Sequence, residues 1–355
     1  MPLRKLTPLI AIALFASAPL QPATAESSSW FKRADPPAKS NPAPAQKSKA
    51  NKGRIKTAKR TKPDAEANGQ QPQNNAAYQA FDQGKYLTAL KLAEKAAAEG
   101  DPAAHTLIGR IYGEGFGVPQ DLAAAAKWYT RGAELGDINA MFALGLIAAE
   151  GRGVKKDLNA AAQMFEQAAR KGHPEASYNL GLLFLKGDGK PENPTRAAQL
   201  IQYAAEQGLA AAQYDISALY QKGVGVEPDA YEAARWISLA AEQGMPAAQY
   251  EYSVMLLKGM GLKKDVHKAL GYMREAAEKG VAGAQNRLAY VYLEGVGVAA
   301  DKTEMAKWRI IAKANGIPDD ALDKKIAELP KKELLKAQQL ATNWQEKRQV
   351  NPLGP

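Results

Sequence analysis

The chain has 355 residues and no cysteine, which excludes a disulfide framework, a Cys-ligated metal and a thiol nucleophile. Only three histidines occur, His105, His173 and His267, and no two lie within one helical turn, so no histidine metal site has its ligand spacing. The formal charge of +10 suits a nucleic-acid partner until it is divided: residues 1–25 carry +2 and residues 26–75 carry +7, leaving +1 for residues 76–355, so the body offers no basic surface for nucleic acid.

In chain order, Arg4 and Lys5 precede an apolar run from Leu9 to Ala18, and small residues follow at Ala23 and Ala25. Residues 1–25 therefore read as a secretory signal peptide cleaved after Ala25. The run between Pro8 and Pro19 is shorter than the roughly 20 residues a membrane-crossing helix needs. The mature chain is expected to be soluble and periplasmic or secreted. Residues 26–75 hold Pro36, Pro37, Pro42, Pro44, Pro63 and Pro72 among many Lys, Ser and Asn. Such a basic, Pro-rich linker cannot bury enough apolar surface to order itself, so it is expected to be disordered. It serves as a spacer, or alternatively makes weak contact with anionic envelope polymer or lipid.

From residue 76 the chain repeats. Gly100, Gly136, Gly172, Gly208, Gly244, Gly280 and Gly316 recur every 36 residues, as do the pairs that begin at Gly115, Gly151, Gly187, Gly223, Gly259 and Gly295. A fixed period of this size signals stacked helical units, here 101–136, 137–172, 173–208, 209–244, 245–280 and 281–316. In the unit 209–244 a first helix is expected from Ala211 to Gln221, with Ala212, Ile216, Leu219 and Tyr220 on one face. Gly223 and Gly225 end it, and Asp229 caps a second helix whose inner face carries Ala233, Trp236, Ile237, Ala240 and Ala241. The equivalent caps are Asp121, Asp157, Asn193, Asp265 and Asp301. A large residue, Trp128, Met164, Leu200, Trp236, Tyr272 or Trp308, is expected to fill the space between units. Residues 76–100 read as an N-terminal capping half-repeat. Asp319 to Glu328 and Lys331 to about Lys347 read as capping helices within 317–349, with an apolar stripe of Leu334, Leu335, Ala337, Ala341 and Trp344; residues 350–355 form a tail.

The pattern Ala-Gln-Tyr, Gly-x-Gly-Val, Asp, Ala-x-x-Trp and Ala-Ala-Glu-x-Gly resembles the Sel-one-like repeat (SLR) family, relatives of the tetratricopeptide repeat. The resemblance covers residues 101–316. It implies an all-α fold, a right-handed α/α solenoid of six 36-residue helix-pair repeats with helical caps. The third unit departs from the pattern: Lys190 replaces Val, and Pro191 and Pro194 flank the cap, which predicts a differently shaped loop.

No catalytic residue, cofactor or metal is indicated. Ser217 and Ser253 stand where other units have Gly145 and Gly181, which marks packing positions. The Gly-x-Gly pairs lack the strand and the Gly-Lys-Ser/Thr context of a phosphate loop. A surface remains. The face of each first helix opposite its core falls at positions 103, 106 and 110 of the first unit and their equivalents. The resemblance places that face on the concave wall. The column at 106 reads Thr106, Phe142, Tyr178, Tyr214, Tyr250, Asn286; the column at 110 reads Arg110, Leu146, Leu182, Ala218, Val254, Tyr290. Arg110, Phe142, Tyr178, Tyr214, Tyr250 and Tyr290 are the candidate partner-binding groove; the alternative is that the tyrosines pack between units. The expected function is an exported scaffold that grips a protein or peptide. By resemblance to periplasmic repeat proteins of rhizobial-type bacteria, the partner would be the periplasmic part of a membrane sensor controlling exopolysaccharide. A peptidoglycan- or anionic-polymer-binding module is the second expectation. A cell-wall hydrolase has no residue in its support.

Overall fold

The computed structural model describes residues 75–350, so the signal peptide, nearly all of the linker and the extreme C-terminal tail lie outside the described residues. A short pair, α1 (Asn75–Asp82) and α2 (Tyr86–Ala98), opens the chain. Six full pairs follow: α3 (Pro102–Glu114) with α4 (Leu122–Glu134), α5 (Ile138–Glu150) with α6 (Leu158–Arg170), and α7 (Pro174–Lys186) with α8 (Pro194–Glu206). Then come α9 (Ala210–Lys222) with α10 (Ala230–Glu242), α11 (Pro246–Lys258) with α12 (Val266–Glu278), and α13 (Ala282–Glu294) with α14 (Lys302–Ala314). The helices α15 (Asp320–Ala327) and α16 (Lys331–Val350) close it. Among the described residues every regular element is a helix, and consecutive helices pack on one another to form a helix-pair solenoid. The expected helix from Ala211 to Gln221 is one residue longer at each end.

The 36-residue period follows from local chemistry. Each full unit spends 13 residues on each of its two helices and ends the first on glycine. Gly223 has φ +67°, a left-handed conformation that is cheap only without a side chain. Gly225 has a second reason to be glycine: a Cβ there would collide with the Pro194 carbonyl of the preceding unit. The second helices start on side-chain caps. Asp121, Asp157, Asn193, Asp229, Asp265 and Asp301 all accept backbone N–H bonds, each cap worth about 1 kcal/mol. The Lys190 loop does not differ as expected. Gly187 and Gly189 keep φ near +70° and Asn193 caps as its equivalents do, while Lys190 Nζ is 3.0 Å from Glu166 Oε2.

Alanine sets the spacing of the layers. Ala104, Ala140, Ala176, Ala212, Ala248 and Ala284 are all buried, so the first helices press closely on their neighbours. Of the large residues expected between units, Leu200, Trp236 and Trp308 are buried, whereas Trp128, Met164 and Tyr272 are half-buried. The tighter position is the next one along, where Phe165, Ile201, Ile237 and Met273 are fully enclosed. Phe165 takes the space that Gly145 leaves open, and Ile201 that of Gly181. Ser217 and Ser253 are fully buried at the same position and donate to the Ala233 and Tyr250 carbonyls, as packing residues do.

The last unit places Arg309 at that enclosed position. Its guanidinium donates to Asp323 Oδ1 (2.7 Å), Asn286 Oδ1 (3.1 Å) and the Ile317 carbonyl (2.8 Å). Asp319 caps α15 and accepts from Asn286 and Tyr290. This polar knot replaces the apolar contact that a following unit would have made. Beyond it α16 lies on α14 and reaches back to α12, where Trp344 Nε1 donates to Glu278 Oε2 (2.5 Å). Ala337 and Ala341 are buried there and Leu334 and Trp344 half-buried, but Leu335 of the expected stripe faces solvent.

Candidate functional site

The first helices of the first three full units approach one another directly, α3 with α5 and α5 with α7, which marks that side of the N-terminal half as crowded. The structure places the six groove candidates on the first-helix wall in different states. Arg110 is half-buried, with its guanidinium 4.7 Å from the Phe81 ring centre. Phe142 is half-buried and lies against the His173 ring at 4.4 Å. Tyr214 and Tyr250 are half-buried. Tyr178 and Tyr290 correct the expectation of an open strip: they are 3% and 5% exposed. The Tyr178 hydroxyl donates to Asp215 Oδ2 (2.8 Å), and that of Tyr290 to Asp319 Oδ1 (3.1 Å). These two side chains fasten one unit to the next element.

The reason is a partner that a single helix does not reveal. Tyr178 and Tyr214 each bond to a carboxylate 37 residues onward, in the following unit. Those carboxylates, Asp215 and Glu251, belong to a column at 107 that sequence reasoning missed: Leu107, Ala143, Asn179, Asp215, Glu251, Arg287. Positions 103, 106, 107, 110 and 114 share one helical face at spacings of three and four, so the columns at 107 and 114 belong to the wall as well. The column at 114 reads Glu114, Glu150, Lys186, Lys222, Lys258, Glu294.

Electrostatics single out the fourth and fifth units. Burial pushes the Asp215 carboxyl up to about 6; the Tyr178 hydrogen bond opposes this and the nearby Glu251 charge adds to it. Burial likewise raises Glu251, opposed by the Tyr214 hydrogen bond and by Lys222. The Tyr178 and Tyr214 hydroxyls are raised by burial and by their carboxylate partners, so both remain donors at any physiological pH. Farther along, burial lowers Lys258, helped by Arg287, and burial raises Glu294 against the pull of Arg287. The wall thus combines aromatic faces, a deep pair of carboxylates and flanking cations. That arrangement suits recognition of a polar segment and provides no nucleophile with its base. Among the described residues no group of three or more His, Cys, Asp or Glu is gathered as a metal cage, and no helix is long and apolar enough to cross a membrane.

The family model for the Sel1 repeat matches seven times over residues 82–308, the first match covering α2 of the short opening pair. Among solved structures, c5321, a protective antigen of uropathogenic Escherichia coli with an SLR fold, is similar at 29% identity and a TM-score of 0.68. The match covers 77% of this chain and 62% of that one, so the chain spans less than two thirds of that protein. A Sel1 repeat protein from Oxalobacter formigenes matches at 34% identity and a TM-score of 0.60, over 67% of this chain and 98% of its own. No curated protein matches the sequence. Seven matched repeats and two solved relatives with the same helix-pair stack leave one conclusion: the chain belongs to the Sel1 repeat family, whose members generally act as protein-interaction scaffolds.

Proposed function

We propose that the chain is an exported, non-catalytic scaffold that holds an extended segment of a partner protein along its concave wall. One observation carries this reading. The positions that build the stack repeat, alanine at 104 and at each of its five equivalents, whereas the wall columns at 106, 107 and 110 change from unit to unit. A row of unlike aromatic, charged and small residues is what reading a specific partner requires. The export reading rests on Arg4, Lys5, the apolar run from Leu9 and the Ala23-Thr24-Ala25 step. In that compartment the partner would be the periplasmic part of a membrane sensor, and the scaffold would regulate an envelope process such as exopolysaccharide production.

The test is photo-crosslinking in the native host. A crosslinker in place of Phe142 or Tyr250 is expected to give one discrete adduct, on a chain whose first residue is Glu26. The same group at Gln163 or Arg274, exposed on second helices, should give none. Adducts equally from both faces, or none from the wall, would reject the groove, and an adduct on a chain retaining Met1 would reject export.

A further inference from the structure

We infer that Arg110 receives a carboxylate, from an acidic side chain or a free chain end, of the segment that a partner protein lays along the concave wall; this rests on the reading of that wall as a binding surface. Arg110 is the one charged residue of its column, whose other members are Leu146, Leu182, Ala218, Val254 and Tyr290. Its guanidinium is held in place without being neutralised. The group lies 4.7 Å from the centre of the Phe81 ring, a cation–π contact supplied by the short opening pair. Among the described residues no carboxylate pairs with it, and its Nε is buried with no hydrogen-bond partner. A buried donor left unmade and a charge left uncompensated are both unfavourable. The acidic groups nearby are already engaged. Glu114, one turn farther along α3, sits 3.6 Å from Arg152. Asp137 accepts from the Thr106 hydroxyl and Ala140 N, and Asp101 accepts from Ala103 N.

The surroundings select the kind of anion. Tyr129 packs against Gly109, where a Cβ would fall 2.9 Å from its ring, and its hydroxyl makes no hydrogen bond among the described residues. The charges of Arg110 and Arg152 both act on that hydroxyl, so it offers a second donor beside the guanidinium. The charge of Glu114 acts there too, and it opposes a dianionic phosphate more strongly than a monoanionic carboxylate. A guanidinium can rest on a ring and still present its planar fork to a carboxylate. The Phe81 contact fixes the arginine before the ligand arrives, which lowers the ordering cost of binding.

The experiment uses the mature chain with isotope-labelled arginine and reads the Arg110 Nε–H resonance by NMR, assigned from its loss in Arg110→Lys. Three alanine tripeptides are titrated: one blocked at both ends with a central glutamate, its glutamine counterpart, and one ending in a free carboxylate. Line broadening of the peptides follows binding in parallel. At least one carboxylate peptide is expected to shift the resonance saturably and to bind about tenfold or more tightly than the glutamine peptide. Whichever of the two binds more tightly names the source of the carboxylate. The preference should fall severalfold in Arg110→Lys and in Tyr129→Phe, with the unfolding midpoint unchanged in the latter. No shift, an equal response to the glutamine peptide, or a preference that is unchanged in either variant overturns the inference. Tighter binding of inorganic phosphate than of both carboxylates overturns the choice of anion. Asp64 and Glu66 are the acidic residues that most closely precede α1. A response that appears only in the Asp64→Asn/Glu66→Gln variant gives the site to the chain's own linker and overturns the assignment to a partner. Because wall crosslinking is measured without these peptides, loss of this inference and loss of the groove itself read out separately.

Discussion

The first three full units and the last three share a period and a fold but start their first helices differently. In the N-terminal half each first helix carries its own cap. Asp101 accepts from Ala103 N, Asp137 from Ala140 N, and His173 from Ala176 N. In the C-terminal half the cap positions are Leu209, Met245 and Val281, and none of their side chains accepts a hydrogen bond. There a buried glutamine at the fourth helical residue takes over. Gln213, Gln249 and Gln285 donate to the Ala205, Ala241 and Ala277 carbonyls, at the end of the preceding unit's second helix. Each also accepts from the residue at the C-terminal cap of its own unit's second helix, Gln243, Lys279 or Asn315. The stability of a repeat array divides into terms within a unit and terms between neighbours. The caps that start the first helices belong to the first term in one half, whereas the glutamine bonds back to the preceding unit belong to the second term in the other.

The largest expected effect is at the end of the neighbour-bonded half. Arg309→Ala leaves Asp323, Asn286 and the Ile317 carbonyl without their shared guanidinium and should cost about 3–5 kcal/mol, read as a lower denaturation midpoint. A loss smaller than that of a single glutamine change would mean that the knot does not close this half. Next comes the direct comparison. Gln249→Leu strips partners from the Ala241 carbonyl, Lys279 and Glu275. It should cost about 1–3 kcal/mol and flatten the slope of the unfolding curve, as coupling between units weakens. Asp101→Ala removes a cap whose side-chain bond stays within its own unit, should cost about 1 kcal/mol, and should leave the slope unchanged. Equal slopes in the two variants would erase the distinction between halves.

The smallest effect is a gain. Asp215 faces only Tyr178 and Glu251 among groups that shift it, and its folded value of about 6 lies above its ordinary 3.8. The folded state therefore binds that proton more tightly than the unfolded chain does. Stability rises as pH falls through about 6, and the full cost is present above it. Asp215→Asn should raise stability by about 1–2 kcal/mol above about pH 7 and by nothing near pH 4. A loss at neutral pH would show that the charged carboxylate holds the units together rather than straining them.

Much of this was legible in the residues, and the gaps have a common cause. The glycine turns and the Asp229-type caps depend on chemistry within a few positions, so spacing alone located them. The groove candidates were drawn too narrowly, since the column at 107 shares their helical face with 106. Tyr178 and Tyr290 read as open because a helical wheel shows one helix, whereas their partners, Asp215 and Asp319, come from the next element. Gln213, Gln249 and Gln285 were visible as a recurrent Gln before Tyr or Asn, yet the carbonyls they bond to lie eight residues upstream across a turn.

The glutamine bonds also set a timetable for synthesis. A chain leaves the ribosome N-terminus first, at about 5–20 residues per second. The helices α3, α5 and α7 hold their own start signals and can settle as each emerges. Gln213 must wait for Gln243, Gln249 for Lys279, and Gln285 for Asn315, each 30 residues later. In the second half of the solenoid each first helix therefore stays provisional until the second helix of its own unit has been translated.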